Sequence, residues 1–339
     1  MPAGTGLELR LDQLAAAGRI PGLHGLVVIQ HGQVITERYG AGEDFKWNES
    51  LGRVKFGPDV LHDIRSATKS VTSLLYGIAL AGGRVPEPQA PLLQQFPQYP
   101  DLAADPLRAR LTVEHALTMT LGLEWHEDVP YTSTANSEIA MEMAPDRYRF
   151  VLSQPVAGEP GQHWHYCGGA TALIGHLLAQ GTGEPLPHFA RRTLFEPLGI
   201  SAFEWMSGRD GVPSPASGLR LATPDLARIG QLVLDHGLRD GREIIPSGWL
   251  ETALRRHMRI DGEFGYGYQW YAGTSPAPDG TSPVRWSAAF GNGGQHLYVL
   301  PDLDAVVAIT AGNYDTAEQS ATPSAIMDEA VLPGLSPAG

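Results

Sequence analysis

Two pairs of strand patterns at opposite ends of the chain constrain its fold more than any other feature of the sequence. Residues 26–38 hold two apolar, β-branched stretches around a His-Gly turn, and residues 296–309 hold two more around a Pro-Asp turn. Each pair is typical of a β-hairpin. We therefore expect one antiparallel sheet built from both ends of the chain, from residues near 20–60 and 265–312.

The sequence between the two hairpins predicts helices and loops. Residues 66–81 and 170–178 carry apolar side chains at helical spacing. Thr112 can cap a short helix that Gly122 closes, and Thr223, followed by Pro and Asp, is a strong helix start.

These elements together predict an α+β fold in which helices flank the antiparallel sheet. Residues 1–83 and 216–339 form the expected sheet domain, and residues 84–215 form a large, mostly helical insertion. The proline-rich stretch 87–106 predicts a long surface loop. We expect the active site in the cleft between sheet domain and insertion, because such clefts hold most small-molecule sites.

The charge balance bears on possible partners. The chain has 37 acidic and 24 basic residues, a net charge of −13, which disfavours nucleic acid because the phosphate backbone would be repelled. Only Lys46, Lys55 and Lys69 are lysines, so each lysine that chemistry could use can be named. A single cysteine, Cys167, excludes an internal disulfide and a multi-cysteine zinc site.

Targeting signals are absent from the sequence. No basic segment followed by an apolar core stands at the N-terminus, and no run of about 18 apolar residues could span a membrane. The sequence predicts a cytoplasmic protein without a membrane span, although a chain trimmed of its leader would have the same sequence. The oligomeric state is not predicted.

Ser66 and Lys69 carry the first chemical signal. Three residues apart on a helix, they project from the same face and can touch. Ser66 stands in the first turn, where free N–H groups and the helix dipole favour a developing negative charge. A lysine whose pKa is lowered by burial can take the serine proton. A capping serine followed by a solvated lysine is the structural alternative.

Tyr166 and the glycine-rich turn at residues 292–295 provide two further signals. Tyr166 precedes the helix at 170–178, where its hydroxyl can relay a proton in a cleft. Gly294 stands at the entrance of the strand after Asn292, where glycine lets a substrate approach the backbone, and a N–H there could help to bind an oxyanion. Adjacent Cys167 is expected to be buried and inert.

These three elements, in this order, resemble the Ser-x-x-Lys serine hydrolase superfamily. Class C β-lactamases, penicillin-binding carboxypeptidases, related esterases and 6-aminohexanoate-dimer hydrolases belong to it. The resemblance covers roughly residues 24–312, and further matches lie at residues 117–123, 194–200 and 217–227.

The resemblance implies specific roles for these residues. Ser66 would be acylated, Lys69 and Tyr166 would share proton transfer, and the backbone N–H groups of Ser66 and Gln295 would bind the oxyanion. No cofactor is implied, and no metal site is expected, because His163 and His165 lack a visible third ligand.

Two positions depart from the superfamily pattern. The second motif is commonly Tyr-x-Asn, but its third position here is Gly168. The third motif in β-lactamases and carboxypeptidases is Lys-Thr-Gly, but Asn292 stands where that lysine would be. A neutral amide cannot supply the charge that attracts a substrate carboxylate, and the sequence does not show whether an arginine such as Arg285 replaces it.

The sequence therefore predicts a serine hydrolase that cleaves a small ester or amide. In amide-cleaving relatives a tyrosine from the region of Tyr131 assists the leaving amine, so the resemblance makes Tyr131 a further candidate. A plain surface tyrosine is the alternative for Tyr131. A β-lactamase or D-alanyl-D-alanine carboxypeptidase, a transacylase and, in another class, an inactive binding scaffold stay open. The acyl and leaving groups are not predicted.

Overall fold

The structure is a computed structural model that describes residues 3–262, 264–277 and 282–335. Its strands are β1 (Leu23–Gln30), β2 (Gln33–Tyr39), β3 (Ala41–Lys46), β4 (Glu49–Lys55), β5 (His62–Asp63), β6 (Glu204–Trp205), β7 (Leu219–Leu221), β8 (Leu238–Arg239), β9 (Arg242–Glu243), β10 (Met258–Asp261), β11 (Phe264–Tyr266), β12 (Tyr271–Ser275), β13 (Val284–Gly291), β14 (Gln295–Leu300) and β15 (Ala305–Ala311). Its helices are α1 (Ala3–Ala16), α2 (Thr68–Ala81), α3 (Pro100–Ala103), α4 (Val113–Leu117), α5 (Ser137–Met143), α6 (Arg147–Leu152), α7 (Gly168–Thr182), α8 (Leu186–Ala190), α9 (Thr223–Leu234), α10 (Ser247–Leu254), α11 (Ala321–Ala325) and α12 (Leu332–Gly334).

An eight-stranded antiparallel sheet joins the two ends of the chain, in the order β10-β11-β12-β13-β14-β15-β1-β2. Both predicted hairpins are present, and β1 pairs with β15 through contacts such as Leu26 opposite Ile309. The α+β fold and the sheet from both termini are thus confirmed. The prediction for residues 41–63 was wrong, because β3 and β4 form a separate hairpin and β5 pairs with β7.

Both faces of the sheet are covered, so its central strands are apolar throughout. Along β15, Val306 and Ala308 face the core that contains α2, α7 and α9. Val307 and Ile309 face the opposite core, which the N-terminal helix and the C-terminal helices complete. This alternation follows from the two-residue period of a strand, and burial on both sides explains why β15 reads as a continuous apolar run.

The predicted helices are present, with corrected boundaries. A 3₁₀ turn at Arg65–Ala67 holds Ser66 ahead of α2. Thr112 caps α4, which ends well before Gly122. Thr223 does not cap α9, because the Thr223 hydroxyl bonds Thr310 at 2.9 Å and Ala222 stands at the cap position instead.

Two other expectations meet different outcomes. The prediction of a surface loop for residues 87–106 was wrong, because Leu92, Leu93 and Phe96 are buried in the core and α3 lies within the stretch. Division of the chain at residues 83 and 216 stays a prediction. None of the helices in the described ranges is long and apolar enough to cross a membrane.

Candidate active site

The backbone around Ser66 is held in an unusual conformation. Arg65 has a φ of 48°, in the left-handed region that residues other than glycine rarely adopt. Its guanidinium donates to the carbonyl of Trp47 at 2.6 Å and lies 4.7 Å from the centre of the Tyr314 ring. These contacts hold the turn that carries Ser66.

Lys69 lies on the first turn of α2, directly behind the serine. Its Nζ is 3.1 Å from Ser66 Oγ and 3.1 Å from the carbonyl oxygen of Ala216. The side chain is buried, with 2% of its surface exposed. The predicted contact between Ser66 and Lys69 is therefore present in the structure.

Tyr166 completes the group that the sequence analysis brought together. Nζ of Lys69 lies 5.0 Å from the centre of the Tyr166 ring, which comes from the turn before α7. Burial raises the pKa of Tyr166, while the Lys69 ammonium and a hydrogen bond with Ser66 act in the opposite direction. The phenol is thus in contact with both the hydroxyl and the ammonium.

The expected neutral lysine requires correction. Burial lowers the pKa of Lys69, as the sequence analysis assumed, but its interactions with Tyr166, Glu138 and Glu127 outweigh that effect. The net effect holds the pKa of Lys69 above its ordinary value, so the free protein carries an ammonium at neutral pH.

Sequence reasoning missed two carboxylates beside this lysine, Glu127 and Glu138. Glu138 Oε2 lies 3.8 Å from Lys69 Nζ, and burial together with the Glu138 charge raises the pKa of Glu127 to about 7. Neither residue belongs to a motif; the one available signal was Gly168, whose missing side chain leaves a space that other groups must fill. We call Lys69, Tyr166, Glu127 and Glu138 the lysine cluster.

Tyr131 borders the same site. Its hydroxyl donates to Glu127 Oε2 at 3.0 Å, and burial followed by the charge of Glu127 raises its pKa. Tyr131 lines both cavities that adjoin Ser66. It is therefore not the plain surface tyrosine that the sequence left as an alternative.

Only part of the third motif borders the cavities at Ser66. Asn292 lines the same two cavities as Ser66, and its amide bonds Asp315 at 2.8 Å. The Gln295 side chain is buried and bonds the backbone of Ala311 at 2.6 and 3.0 Å. Gly294 and Gln295 line neither cavity, so of the three predicted third-motif residues Asn292 alone borders the cavities at Ser66.

Two cavities meet at Ser66. The larger, of about 660 Å³, has an aromatic wall made by Phe264, Tyr271, Trp286, Phe290 and Tyr298. The smaller, of about 270 Å³, is lined by charged groups of both signs, which are Arg65, Arg209, Glu138 and Glu142. A substrate bound across Ser66 would extend one group into each cavity.

Two other candidates lie away from the chemistry. Arg285 is exposed and pairs with Asp302 at 2.5 Å, and it lines neither cavity at Ser66. It therefore does not replace the missing lysine of the third motif. Cys167 is buried as expected; its Sγ accepts from Ala170 N at the start of α7, and burial raises its pKa.

Among the described residues, His24, Asp44 and His62 have the donor set of a metal site. With Tyr314, which contacts Asp44, we call them the histidine cluster. His24 Nδ1 and His62 Nε2 are 2.9 Å apart, and the Tyr314 hydroxyl donates to Asp44 Oδ1 at 3.1 Å. Arg220 lies 3.6 Å from Asp44 Oδ2, and its positive charge opposes a cation there. The contacts are those of a hydrogen-bonded structural cluster.

Comparison with known proteins agrees with this geometry. A family model described as beta-lactamase matches residues 7–330. The chain is 23% identical over 330 residues to a 6-aminohexanoate-dimer hydrolase from Paenarthrobacter ureafaciens, covering 88% of this chain and 76% of the relative. It is 24% identical over 239 residues to Esterase EstB from Burkholderia gladioli, covering 65% and 59% of the two chains.

A solved structure has the same fold. EstCE1, described as a hydrolase with promiscuous acyltransferase activity, superposes with a TM-score of 0.76 at 15% identity. The match covers 98% of this chain and 100% of that one.

Proposed function

Because the chain is a serine hydrolase of the beta-lactamase family, we propose that it cleaves small neutral esters or amides through an acyl enzyme at Ser66. The observation that carries the proposal is the contact of Lys69 Nζ with Ser66 Oγ at 3.1 Å, with the Tyr166 ring beside both. A serine hydroxyl needs a base within reach to become a nucleophile, and the Lys69–Tyr166 pair supplies one once it has lost a proton.

We assign the proton transfer to Lys69 and Tyr166 acting together. The reactive form is the one in which the Lys69–Tyr166 pair has lost one proton and exists as ammonium and phenolate. In that form the Tyr166 phenolate, stabilised by the Lys69 ammonium, takes the proton from Ser66 Oγ as that oxygen attacks the substrate carbonyl. The backbone N–H of Ser66 and one from the third-motif turn at residues 292–295, of which Asn292 lines both cavities, are proposed to bind the oxyanion. Tyr166 then returns the proton to the leaving group, and water attacks the acyl-serine by the same path.

The two cavities support a neutral, unequally sized substrate. The aromatic wall of the larger cavity suits a bulky apolar group, while the smaller cavity suits a short one. Positive and negative side chains lie together in the smaller cavity, and Asn292 stands where the family's lysine would be. A β-lactam or a D-alanyl peptide, each of which carries a carboxylate, is therefore the weaker candidate.

Transacylation is a second candidate function. EstCE1, which shares this fold, is described as having promiscuous acyltransferase activity. A cavity of about 660 Å³ could hold an acceptor alcohol beside the acyl group. Product analysis with an added alcohol separates the two reactions: transfer gives the new ester, whereas hydrolysis gives the free acid.

The proposed partner is in either case a small-molecule substrate. A cytoplasmic location stays a prediction that cell fractionation can test.

The first experiment measures hydrolysis of p-nitrophenyl butyrate and of a short linear amide by the wild type and Ser66→Ala. We expect the variant to lose at least about 10³-fold in rate, because it lacks the nucleophile. Intact-mass measurement during turnover should detect an acyl adduct on the wild type alone. Ser320→Ala, which removes a serine hydroxyl from the larger cavity, is the matched control and should keep its rate.

Equal rates for the wild type and Ser66→Ala on both substrates, with no adduct, would contradict the proposal. The chain would then be an inactive scaffold that retains the fold.

A further inference from the structure

Gly168 is a glycine because of its neighbours rather than its backbone. A Cβ atom added there would lie 2.6 Å from Glu138 Oε2 and 2.9 Å from Glu127 Oε1, both closer than real contacts allow. The residue opens α7 with Cys167 as its cap, and its φ is not in the left-handed region that favours glycine. The two carboxylates therefore occupy the space that a side chain at this position would need.

Glu138 is the closer of the two carboxylates to the catalytic lysine. It lies in the first turn of α5 with 4% of its side chain exposed, and its Oε1 accepts from Ser217 Oγ at 2.8 Å. Its Oε2 has no hydrogen-bond partner and faces Lys69 Nζ at 3.8 Å. A buried carboxylate oxygen without a donor is costly, and the ammonium is the group that compensates its charge.

The lysine can accommodate this third contact. An ammonium has three N–H donors, and the described contacts of Lys69 use two of them, on Ser66 Oγ and the Ala216 carbonyl. The third donor lies between the Tyr166 hydroxyl, with which Lys69 also bonds, and Glu138 Oε2 at 3.8 Å, so Glu138 acts on Lys69 through its charge.

Glu127 has a different task from Glu138. It is held by donors on both oxygens, with the backbone N–H of Gly168 on Oε1 and the Tyr131 hydroxyl on Oε2. Its pKa of about 7 leaves it partly protonated at neutral pH. Glu138 Oε2, which has no such donor, is the carboxylate oxygen that faces Lys69.

We propose that Glu138 is a positioning residue that replaces the side-chain amide missing from position 168 and orients Lys69 towards Ser66 and Tyr166. The inference rests on the proposed function, because Lys69 matters to catalysis only if Ser66 is acylated. It also explains the departure at Gly168, since Glu138 and a side chain at 168 compete for one space.

Substitution of Glu138 tests the positioning role. We expect Glu138→Gln, which keeps the shape and removes the charge, to lower kcat by about 10- to 100-fold with KM within about twofold. The alkaline limb of the pH–rate profile should move to lower pH, because the ammonium loses its compensating charge. Glu138→Asp should recover at least a tenth of wild-type kcat.

A merely structural role would have another signature. Glu138→Gln would then lower stability and the active fraction, while the shape of its pH profile stayed that of the wild type, and this result would overturn the inference. Ser217→Ala is the matched control: it removes the hydrogen bond on Oε1 but leaves the charge. It should leave the alkaline limb in place.

Exchange at position 168 gives an independent test. Gly168→Asn alone should lower kcat/KM at least about 100-fold, because its Cβ collides with Glu138. Combining it with Glu138→Ala removes the closer of the two collisions, leaving that with Glu127 Oε1, and should restore at least tenfold over Gly168→Asn. Full activity of Gly168→Asn as a single variant, or no recovery in the folded double variant, would contradict the inference that Glu138 and a side chain at position 168 compete for the same space.

A double-mutant cycle keeps the two proposals distinguishable. Lys69→Met and Glu138→Gln are made singly and together, and the free energy of unfolding is measured by urea denaturation. Coupling without any Ser66-dependent hydrolysis would support the contact and overturn the proposed function. Ser66-dependent hydrolysis without coupling would overturn the role of Glu138 and leave the proposed function intact.

Discussion

Two polar clusters adjoin the segment that carries Ser66, and they differ in access to the cavities. The lysine cluster reaches the cavities at Ser66 through Glu127, Tyr166 and Glu138. The histidine cluster lies behind the third-motif turn, with the Tyr314 ring against Gly293, and lines neither of these cavities. The lysine cluster is therefore in contact with the space that a substrate would occupy, whereas the histidine cluster is not.

The clusters also differ in charge. In the lysine cluster Lys69 is an ammonium at neutral pH, and Glu127 is close to its titration point. In the histidine cluster burial lowers the pKa of His24 to about 4 and that of His62 to about 3, so both imidazoles are neutral. Groups near their titration point can move protons, whereas neutral, mutually bonded groups mainly hold strands together.

The largest expected effect comes from Tyr166→Phe, which removes one hydroxyl from the lysine cluster. The rate of p-nitrophenyl butyrate hydrolysis should fall by about 10²- to 10⁴-fold, because proton transfer loses its relay. Stability should change by less than about 1 kcal/mol, because the ring keeps its place beside Trp164. Steady-state kinetics and urea denaturation measure the two quantities, and a variant within threefold of wild-type rate would remove Tyr166 from the mechanism.

Tyr314→Phe is the matched change in the histidine cluster, and the comparison predicts the reverse outcome. Asp44 loses its hydrogen-bond donor while buried, so the free energy of unfolding should fall by about 1–3 kcal/mol. The rate per folded molecule should stay within about threefold, because the ring still contacts Gly293 and Arg65. A rate loss as large as that of Tyr166→Phe would show that the two clusters do not divide their tasks.

The smallest expected effect is a difference in how the free energy of unfolding depends on pH, measured with Glu127→Gln. The pKa of Glu127 is raised from 4.5 to about 7, so its ionised form destabilises the fold above pH 7. The variant should therefore be more stable than the wild type at pH 8, on the order of 1 kcal/mol. The gain should vanish as the pH falls towards 4.5.

For His24→Asn we expect the difference in stability from the wild type to change with pH in the opposite direction. Because the pKa of His24 is depressed, its contribution to stability is present above pH 6.5 and is lost as the pH falls towards 4. The variant should lose less stability than the wild type over that range. Urea midpoints between pH 8 and 4.5 measure both differences, and equal slopes for both variants would contradict the charge comparison.

The sheet and the serine–lysine contact were predictable because their signals are local. Alternating apolar residues around a two-residue turn specify a hairpin, and three residues of helix bring Ser66 and Lys69 together. Thr223 shows where local signals fail. Its cap pattern is strong, but its hydroxyl meets Thr310 across the fold, and that partner cannot be read from neighbouring residues.

The carboxylates of the lysine cluster could not be predicted for a related reason. Glu127 follows β-bridge and loop residues without periodicity, and Glu138 opens a short helix of its own. Their approach to Lys69 is set by contacts between segments distant in the sequence, such as α5 with α7 and Glu127 with the Gly168 N–H. The pKa of Lys69 was consequently predicted in the wrong direction, because burial could be anticipated but the neighbouring charges could not.

The pairing of β1 with β15 has a consequence during synthesis of the protein. The hairpin of β1 and β2 leaves the ribosome before β15, the strand that covers its inner edge, and residues 40–304 are made in between. At about 5–20 residues per second, the delay is on the order of tens of seconds. An uncovered apolar edge can pair with other chains during that time. We therefore expect the nascent chain to depend on chaperones more than its finished fold suggests.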